Sequence, residues 1–259
     1  MDNFSRLHQS LIIILDEVDR ICRSNNIQYF LDSGTALGAI RHKGFIPWDD
    51  DADIGMLRND FEMFIKCAEK QLGERFFLHT YYSDNHYLNF NAKIRLNGTF
   101  FPDEGSDMYC HHGISVDIFP FDYVPDNRFL HKSLLYFNRQ FNRVVRFKDS
   151  KPKTTLKRIL HKLIAPISLN KFYDSYKRFS IRRKTNTITC YSYRMIEDRE
   201  LFFPVESMCP SKDVEFEKRK YMIMNNPDTY LTIMYNDYMT RPSDKGKDQH
   251  LNGEIRYDI

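Results

Sequence analysis

The sequence predicts an α+β fold: a mixed β-sheet with helices packed on it, joined to a helical basic appendage. Three observations lead there. Helix-like and strand-like runs alternate from residue 4 to residue 73, further strand-like runs follow at 76–82, 90–96 and 114–119, and charge is spread very unevenly along the chain. With 259 residues, 21 Phe and 16 Tyr, the chain has the length and aromatic content to bury a sizeable core, which excludes a disordered chain. We divide it into a core at 1–125, a basic helical segment at 126–200 and a C-terminal region at 201–259 that packs back on the core.

Residues 4–24 read as an amphipathic helix, because Leu7, Leu11, Ile14, Leu15, Val18 and Ile21 recur at three- and four-residue spacing. This helix should cover one face of the sheet that Ile27–Leu31 begins. That strand stops abruptly at Asp32-Ser33-Gly34, and a small-residue helix follows over Thr35–Ile40. A loop containing Gly44 and Pro47 leads to Asp49, Asp50, Asp51 and Asp53, ahead of Ile54. Asn59 or Asp60 should cap the next helix, whose buried stripe is Phe61, Phe64, Ile65, Ala68 and Leu72, with Gly73 ending it. A mixed sheet with helices on one side accounts for this order. In the run 90–96, Asn91, Lys93 and Arg95 share one face and Phe90, Ala92, Ile94 and Leu96 the other. The run ending at Pro120 carries Asp117 between Val116 and Ile118, and Asp122 reads as a turn residue before Pro125. Phe202–Val205 suggests a short edge strand or a packing loop, Tyr230–Met239 the start of a helix, and the tail after Pro242 a loose polar extension.

The acidic stretch carries the chemistry. Four carboxylates within five positions repel one another, so near a core they call for a cation. On a strand, Asp51 and Asp53 point together while Ala52 and Ile54 face inward, and such a pair suits Mg²⁺. An acidic solvated loop is the alternative, but the neighbours Ala52, Ile54 and Met56 are apolar. The Ser33-Gly34 turn opening a helix is also a ready phosphate cradle. Asp117 in its apolar strand needs a partner: a metal shared with Asp51 and Asp53, or a Lys or Arg. Lys93 alone would read as an ordinary solvated strand residue. Cys110-His111-His112 cannot converge on one zinc ion and has no companion cluster at ligand spacing.

Between Arg128 and Lys184 stand 17 Lys and Arg against two acids, Asp149 and Asp174, giving +15 and leaving −12 for the rest of the chain. Aromatics and aliphatics interleave with these cations, a pattern suited to an anionic membrane surface, to a solvated helical cap, or to nucleic acid. No nucleic-acid-binding motif is present, so nucleic acid is not expected. Five scattered cysteines, at 22, 67, 110, 190 and 209, suggest a reducing compartment. No stretch approaches the ~20 apolar residues of a membrane span, and the N-terminus has no signal-peptide pattern, so a cytoplasmic location is expected.

Ser33-Gly34-Thr35, Leu37-Gly38-Ala39, the run Arg41-His42-Lys43-Gly44-Phe45-Ile46-Pro47-Trp48-Asp49-Asp50-Asp51, and Asp53-Ile54 closely resemble the LicD family. Lys93-Ile94-Arg95, Thr99, Val116-Asp117-Ile118-Phe119-Pro120-Phe121-Asp122, Tyr235-Asn236-Asp237-Tyr238-Met239, Pro242 and His250 continue the match. That family includes bacterial phosphorylcholine transferases, is related to the fukutin-type transferases, and looks like a branch of the nucleotidyltransferase-fold superfamily.

The resemblance implies a metal-dependent phosphotransferase that moves phosphorylcholine, or a related phospho-alcohol, from a donor such as CDP-choline to a hydroxyl of a cell-surface glycan. That acceptor would be a precursor of lipopolysaccharide, teichoic acid or capsule, carried on a lipid at the inner face of the membrane. It implies Mg²⁺, with Mn²⁺ as the alternative, held by Asp51 and Asp53 with Asp117, and by Asp49 either directly or from behind. Asp117 is either a metal ligand or the general base. Ser33, Gly34, Thr35 and Lys93 would contact phosphate, Arg41, His42 and His250 would border the donor, and Trp48 would stack on a base or choline or simply pack. A nucleotidyltransferase moving NMP from an NTP is the enzymatic alternative, and a lipid- or RNA-binding scaffold the non-enzymatic one.

Overall fold

The computed structural model describes residues 3–84, 86–87, 89–103, 109–134, 184–190, 201–240 and 254–257, with isolated positions at 136, 144, 155, 159, 174, 177 and 178. The expected helical segment through 126–200 and the expected role of His250 thus fall mostly or wholly outside the described residues.

The fold is α+β, around a seven-stranded mixed sheet. Helix α1 (Asn3–Ser24) leads to β1 (Phe30–Leu31), α2 (Ser33–His42), β2 (Asp53–Leu57) and α3 (Arg58–Gln71). Strands β3 (Phe76–His79), β4 (Ala92–Leu96), β5 (Thr99–Phe100) and β6 (Ser115–Tyr123) follow. Then come β7 (Thr187–Thr189), a strand inside the span 126–200, β8 (Phe203–Pro204), α4 (Val205–Met208), the hairpin β9 (Lys212–Phe216) and β10 (Arg219–Ile223), α5 (Pro227–Tyr235) and β11 (Arg256–Tyr257).

The strand order is β1-β2-β6-β4-β3, with β7 and β8 continuing from the far end of β6. Among the described residues only β2 and β6 run parallel; the other pairs of this sheet are antiparallel. Ile54, Met56, Ile94, Val116 and Ile118 alternate onto one face and are fully buried. Against that face pack α1, through Leu7, Leu11, Ile14 and Ile21, and α3, through Phe61, Phe64 and Ala68. The other face therefore receives Asp53, Lys93 and Asp117.

Several boundaries differ from the sequence reading. β6 does not close at Pro120 but runs on to Tyr123, with Pro120 paired to Met56 of β2. The Asp117 amide bonds Ala52 on the β2 side, so the nitrogen of residue 120 faces the β4 side, where pairing already ends at Ile118. The missing N–H therefore removes no ladder bond. Asp122 is not a turn residue. It is buried within β6, and the Arg58 guanidinium grips both its oxygens, at 2.8 and 2.7 Å. Neither Asn59 nor Asp60 caps α3, which starts at Arg58 behind Leu57; Asp60 instead accepts the Gln28 amide. The tail is not wholly free of structure, since β11 pairs with β5 and Arg6 lies over the Tyr257 ring at 3.7 Å. Among the described residues no helix is long and apolar enough to cross a membrane.

Candidate functional site

Three strand registers assemble the site. Asp53 of β2 pairs with Asp117 of β6, which pairs with Lys93 of β4, which pairs with His79 of β3. In-register partners share a face, so these side chains form one row across four strands. Asp32 extends the row on the β1 side, its amide bonding the Asp53 carbonyl at 2.9 Å. The row is polar where the opposite face is apolar, which is why this face stays uncovered by α1 and α3.

The start of α2 fixes one end. Asp32 is fully buried and caps the helix: its carboxylate accepts the Ser33 amide and the Tyr230 hydroxyl, and Tyr230 also contacts the Ser33 amide at 3.1 Å. These bonds hold Ser33 at φ 46°, a left-handed turn that costs a non-glycine residue about 1 kcal/mol or more. Thr35 Oγ1 accepts the Asp53 amide at 2.8 Å, tying the first turn of α2 to the strand that bears the carboxylate. Gly34 is needed because of Asp49. A Cβ on residue 34 would stand 2.7 Å from Asp49 Oδ2, so the absent side chain lets that carboxylate lie against the positive end of α2.

Asp49, Asp50 and Asp51 present oxygens within 4.8 Å of one another. Burial and the charges of Asp51 and Asp50 push the Asp49 carboxyl up to about 8. Burial, then the charges of Asp51 and Asp117, raise Asp53 well above the usual carboxylate range. Asp53 therefore stands between the acidic loop and Asp117.

At the other end the charges are compensated. Lys93 Nζ lies 2.6 Å from Asp117 and 3.1 Å from Asp103. Arg95 reaches Asp103 at 2.5 Å, the Gly113 carbonyl at 2.7 Å and His79 Nδ1 at 2.8 Å. Burial alone would lower the Lys93 pKa, but Asp117 and Asp103 outweigh it and raise it. Burial opposes ionisation of Asp103, yet Lys93 and Arg95 bring it down to about 2. For Asp117 burial wins over Lys93, leaving its carboxyl raised.

The structure thus gathers Ser33, Gly34, Thr35, Asp49, Asp51, Asp53, Lys93 and Asp117. It does not bring Arg41 and His42 to the same point. They end α2, about 12 Å along the helix axis from Ser33. There Arg41 donates to the Tyr238 carbonyl and His42 sits edge-on to Trp48 at 6.4 Å. His250 lies outside the described residues. Asp32, His79, Asp103 and Tyr230 were missed by sequence reasoning; their only signal was being polar beside buried elements. His79, Asp84 and Cys110 also converge, but Arg95 donates to His79 Nδ1, which leaves the ring proton on Nε2 facing Asp84 at 3.1 Å. That tautomer's one lone pair, on Nδ1, is taken by Arg95, so none is left for a metal.

A family model described as "LicD/FKTN/FKRP, nucleotidyltransferase domain" matches residues 26–168. The lipopolysaccharide cholinephosphotransferase LicD of Haemophilus influenzae is 30% identical over 254 residues, covering 92% of this chain and 91% of that protein. Uncharacterized proteins of Rickettsia typhi and Rickettsia prowazekii match shorter stretches: 44% identical over 68 residues (26% of this chain, 22% of the relative) and 47% over 51 residues (20% and 19%). The sheet, its row of carboxylates and this likeness over nearly the whole chain place the protein in the LicD family.

Proposed function

We propose that this protein is a metal-dependent phosphotransferase. It moves phosphorylcholine, or a related phospho-alcohol, from a CDP-linked donor to a hydroxyl of a cell-surface glycan precursor in the cytoplasm. The observation that carries this reading is the row Asp53–Asp117–Lys93 standing beside Asp49 and Asp51 at the opening of α2. The name of the Haemophilus influenzae relative supports phosphorylcholine as the group and lipopolysaccharide as the acceptor class.

The carboxylates fit a divalent ion. All the converging donors are oxygens, the preference of Mg²⁺ and also met by Mn²⁺, and the mutual repulsion that raises Asp49 and Asp53 marks an excess of negative charge. Asp49, Asp51 and Asp53 would hold the ion. An ion bound there would supply positive charge to the diphosphate and the leaving CMP oxygen.

The chain's own groups do the rest. The first turn of α2 turns backbone amides of Gly34 and Thr35 toward phosphate oxygens, since the intrahelical ladder begins with the Ala36 amide on the Asp32 carbonyl. Lys93 adds a positive charge at the edge of the phosphate site. Asp117, its carboxyl raised but held against Lys93, accepts the proton of the incoming glycan hydroxyl.

Incubating purified protein with Mg²⁺, CDP-choline and a glycan acceptor should release CMP, with EDTA abolishing turnover. Asp53→Asn should lower kcat by about three orders of magnitude or more while the circular dichroism spectrum is retained. The nucleotidyltransferase domain in the family description favours a second reading, NMP transfer from an NTP. Pyrophosphate release from NTPs without turnover of any CDP-alcohol would replace the first reading by the second.

A further inference from the structure

One surface takes no part in the acidic site: the helix that opens the basic segment. Residues 128–134 and Tyr136 are helical. Asn127 caps them, its Oδ1 accepting from the Phe129 and Leu130 amides at 3.0 Å each. Leu130, His131 and Leu134 face inward and are partly buried, with His131 edge-on to Phe202 at 5.1 Å.

The outer face carries Phe129, Lys132, Ser133 and Tyr136. Phe129 is 82% exposed and Tyr136 65%. Seven residues apart, they stand on one stripe of the helix. A lone exposed ring needs no explanation, but two on one stripe beside Arg128 and Lys132 do. The segment carries +15 in a chain that is otherwise −12, so the partner complementary to Arg128 and Lys132 is anionic.

We propose that this helix face docks on an anionic lipid bilayer, with Phe129 and Tyr136 entering the headgroup region and Arg128 and Lys132 meeting lipid phosphates. Rings alone would suit stacked nucleotide bases equally well. The chain carries no nucleic-acid-binding motif, whereas exposed rings beside cations gain by leaving water for a lipid headgroup region. No described helix can span a bilayer, so the contact is peripheral. This goes beyond the proposed reaction, because lipid binding here does not need the acidic site; its consequence would be to hold that site beside a lipid-linked acceptor.

The test is co-sedimentation of the full chain, without substrates, with vesicles of phosphatidylglycerol and of phosphatidylcholine. The expected result is pelleting with phosphatidylglycerol, little with phosphatidylcholine, and release at high salt. A Phe129→Ala, Tyr136→Ala double variant should lose about tenfold or more in vesicle affinity, with an unchanged melting temperature and unchanged CMP release on a soluble acceptor. Arg128→Gln with Lys132→Gln, equally exposed, should weaken binding and flatten its salt dependence. Equal pelleting with both lipids, no pelleting, or wild-type binding by the ring variant would overturn the proposal. So would tighter binding to a single-stranded oligonucleotide than to phosphatidylglycerol vesicles in the same buffer, which would assign the surface to nucleic acid.

Discussion

Lys93 shows at the scale of one residue why the site needs its surroundings. It is 7% exposed between two carboxylates, Asp117 and Asp103. Removing it leaves Asp117, whose side chain is 23% exposed, without its cation, so Lys93→Met should cost about 1–3 kcal/mol in urea unfolding. Asp103→Asn keeps the Asp117 contact and should cost less stability than Lys93→Met. His79 makes a separate, pH-dependent contribution. Burial, helped by Arg95, lowers its pKa from 6.5 to about 4. Between those values the unfolded chain binds a proton that the folded chain refuses, so the stability is complete above 6.5 and is lost as pH falls through about 4. Stability measured against pH should slope upward across this window, and His79→Asn, which keeps an acceptor for Arg95, should flatten that slope. Of these residues Lys93, Arg95 and Asp117 were legible in the sequence. Alternation put Lys93 on the polar face, and an aspartate between two β-branched residues demanded a partner. That the partner of each is the other depends on strand register, which no spacing within one strand encodes.

The opening of α2 is the element on which the site turns, and two of its glycines separate fold from function. A Cβ on residue 38 would come within 2.5 Å of the Gly44 carbonyl oxygen, a backbone atom. Gly38→Ala must therefore push the helix off its own exit loop and should cost about 1–3 kcal/mol. A Cβ on residue 34 meets the Asp49 carboxylate, a side chain that can rotate away. Gly34→Ala should leave the melting temperature nearly unchanged yet sharply reduce CMP release, because Asp49 no longer lies over the helix start. A variant losing both equally would detach Asp49 from the reaction. The helices were legible because three- and four-residue spacing persists over many turns, as α1 shows from Leu7 to Ile21. Strand ends were less so: β6 runs on past Pro120 because its neighbour β4 has ended there, a fact about the partner. The β9–β10 hairpin went unread for another reason. Its turn uses Glu217 and Lys218, both at positive φ, where Asn-Gly would have been the signal. Glu217 accepts the Phe45 amide at 3.1 Å and its own amide bonds the Lys43 carbonyl, so tertiary contacts hold a turn that local preference does not favour.

At the scale of the whole molecule, the region 201–240 is bound into the sheet rather than hung beside it. Ser211 donates to Gln28, the Met222 amide to the Tyr29 hydroxyl, Tyr221 and Arg219 to Asp16, and Tyr230 to the fully buried Asp32. These partners lie on α1, at β1 and at the cap of α2, the elements that begin the chain. The carboxylate that holds Ser33 in its strained turn is thus satisfied by a helix almost two hundred residues away. Two parts joined in this way should unfold together. Trp48, the single tryptophan, sits in the loop between α2 and β2 and reports on the first part, whereas Tyr230 belongs to the second. Tyr230→Phe deprives a buried carboxylate of a donor and should cost about 1–3 kcal/mol. If the parts form one cooperative unit, that loss moves the Trp48 fluorescence transition and the far-ultraviolet circular dichroism transition in urea by the same amount. Were 201–240 an independent unit, the tryptophan transition would stay in place while the dichroism curve split in two. A chain ending at residue 200 should then fold by itself, whereas on the cooperative reading it cannot, because Asp32, Tyr29 and Asp16 would each lose a partner at once.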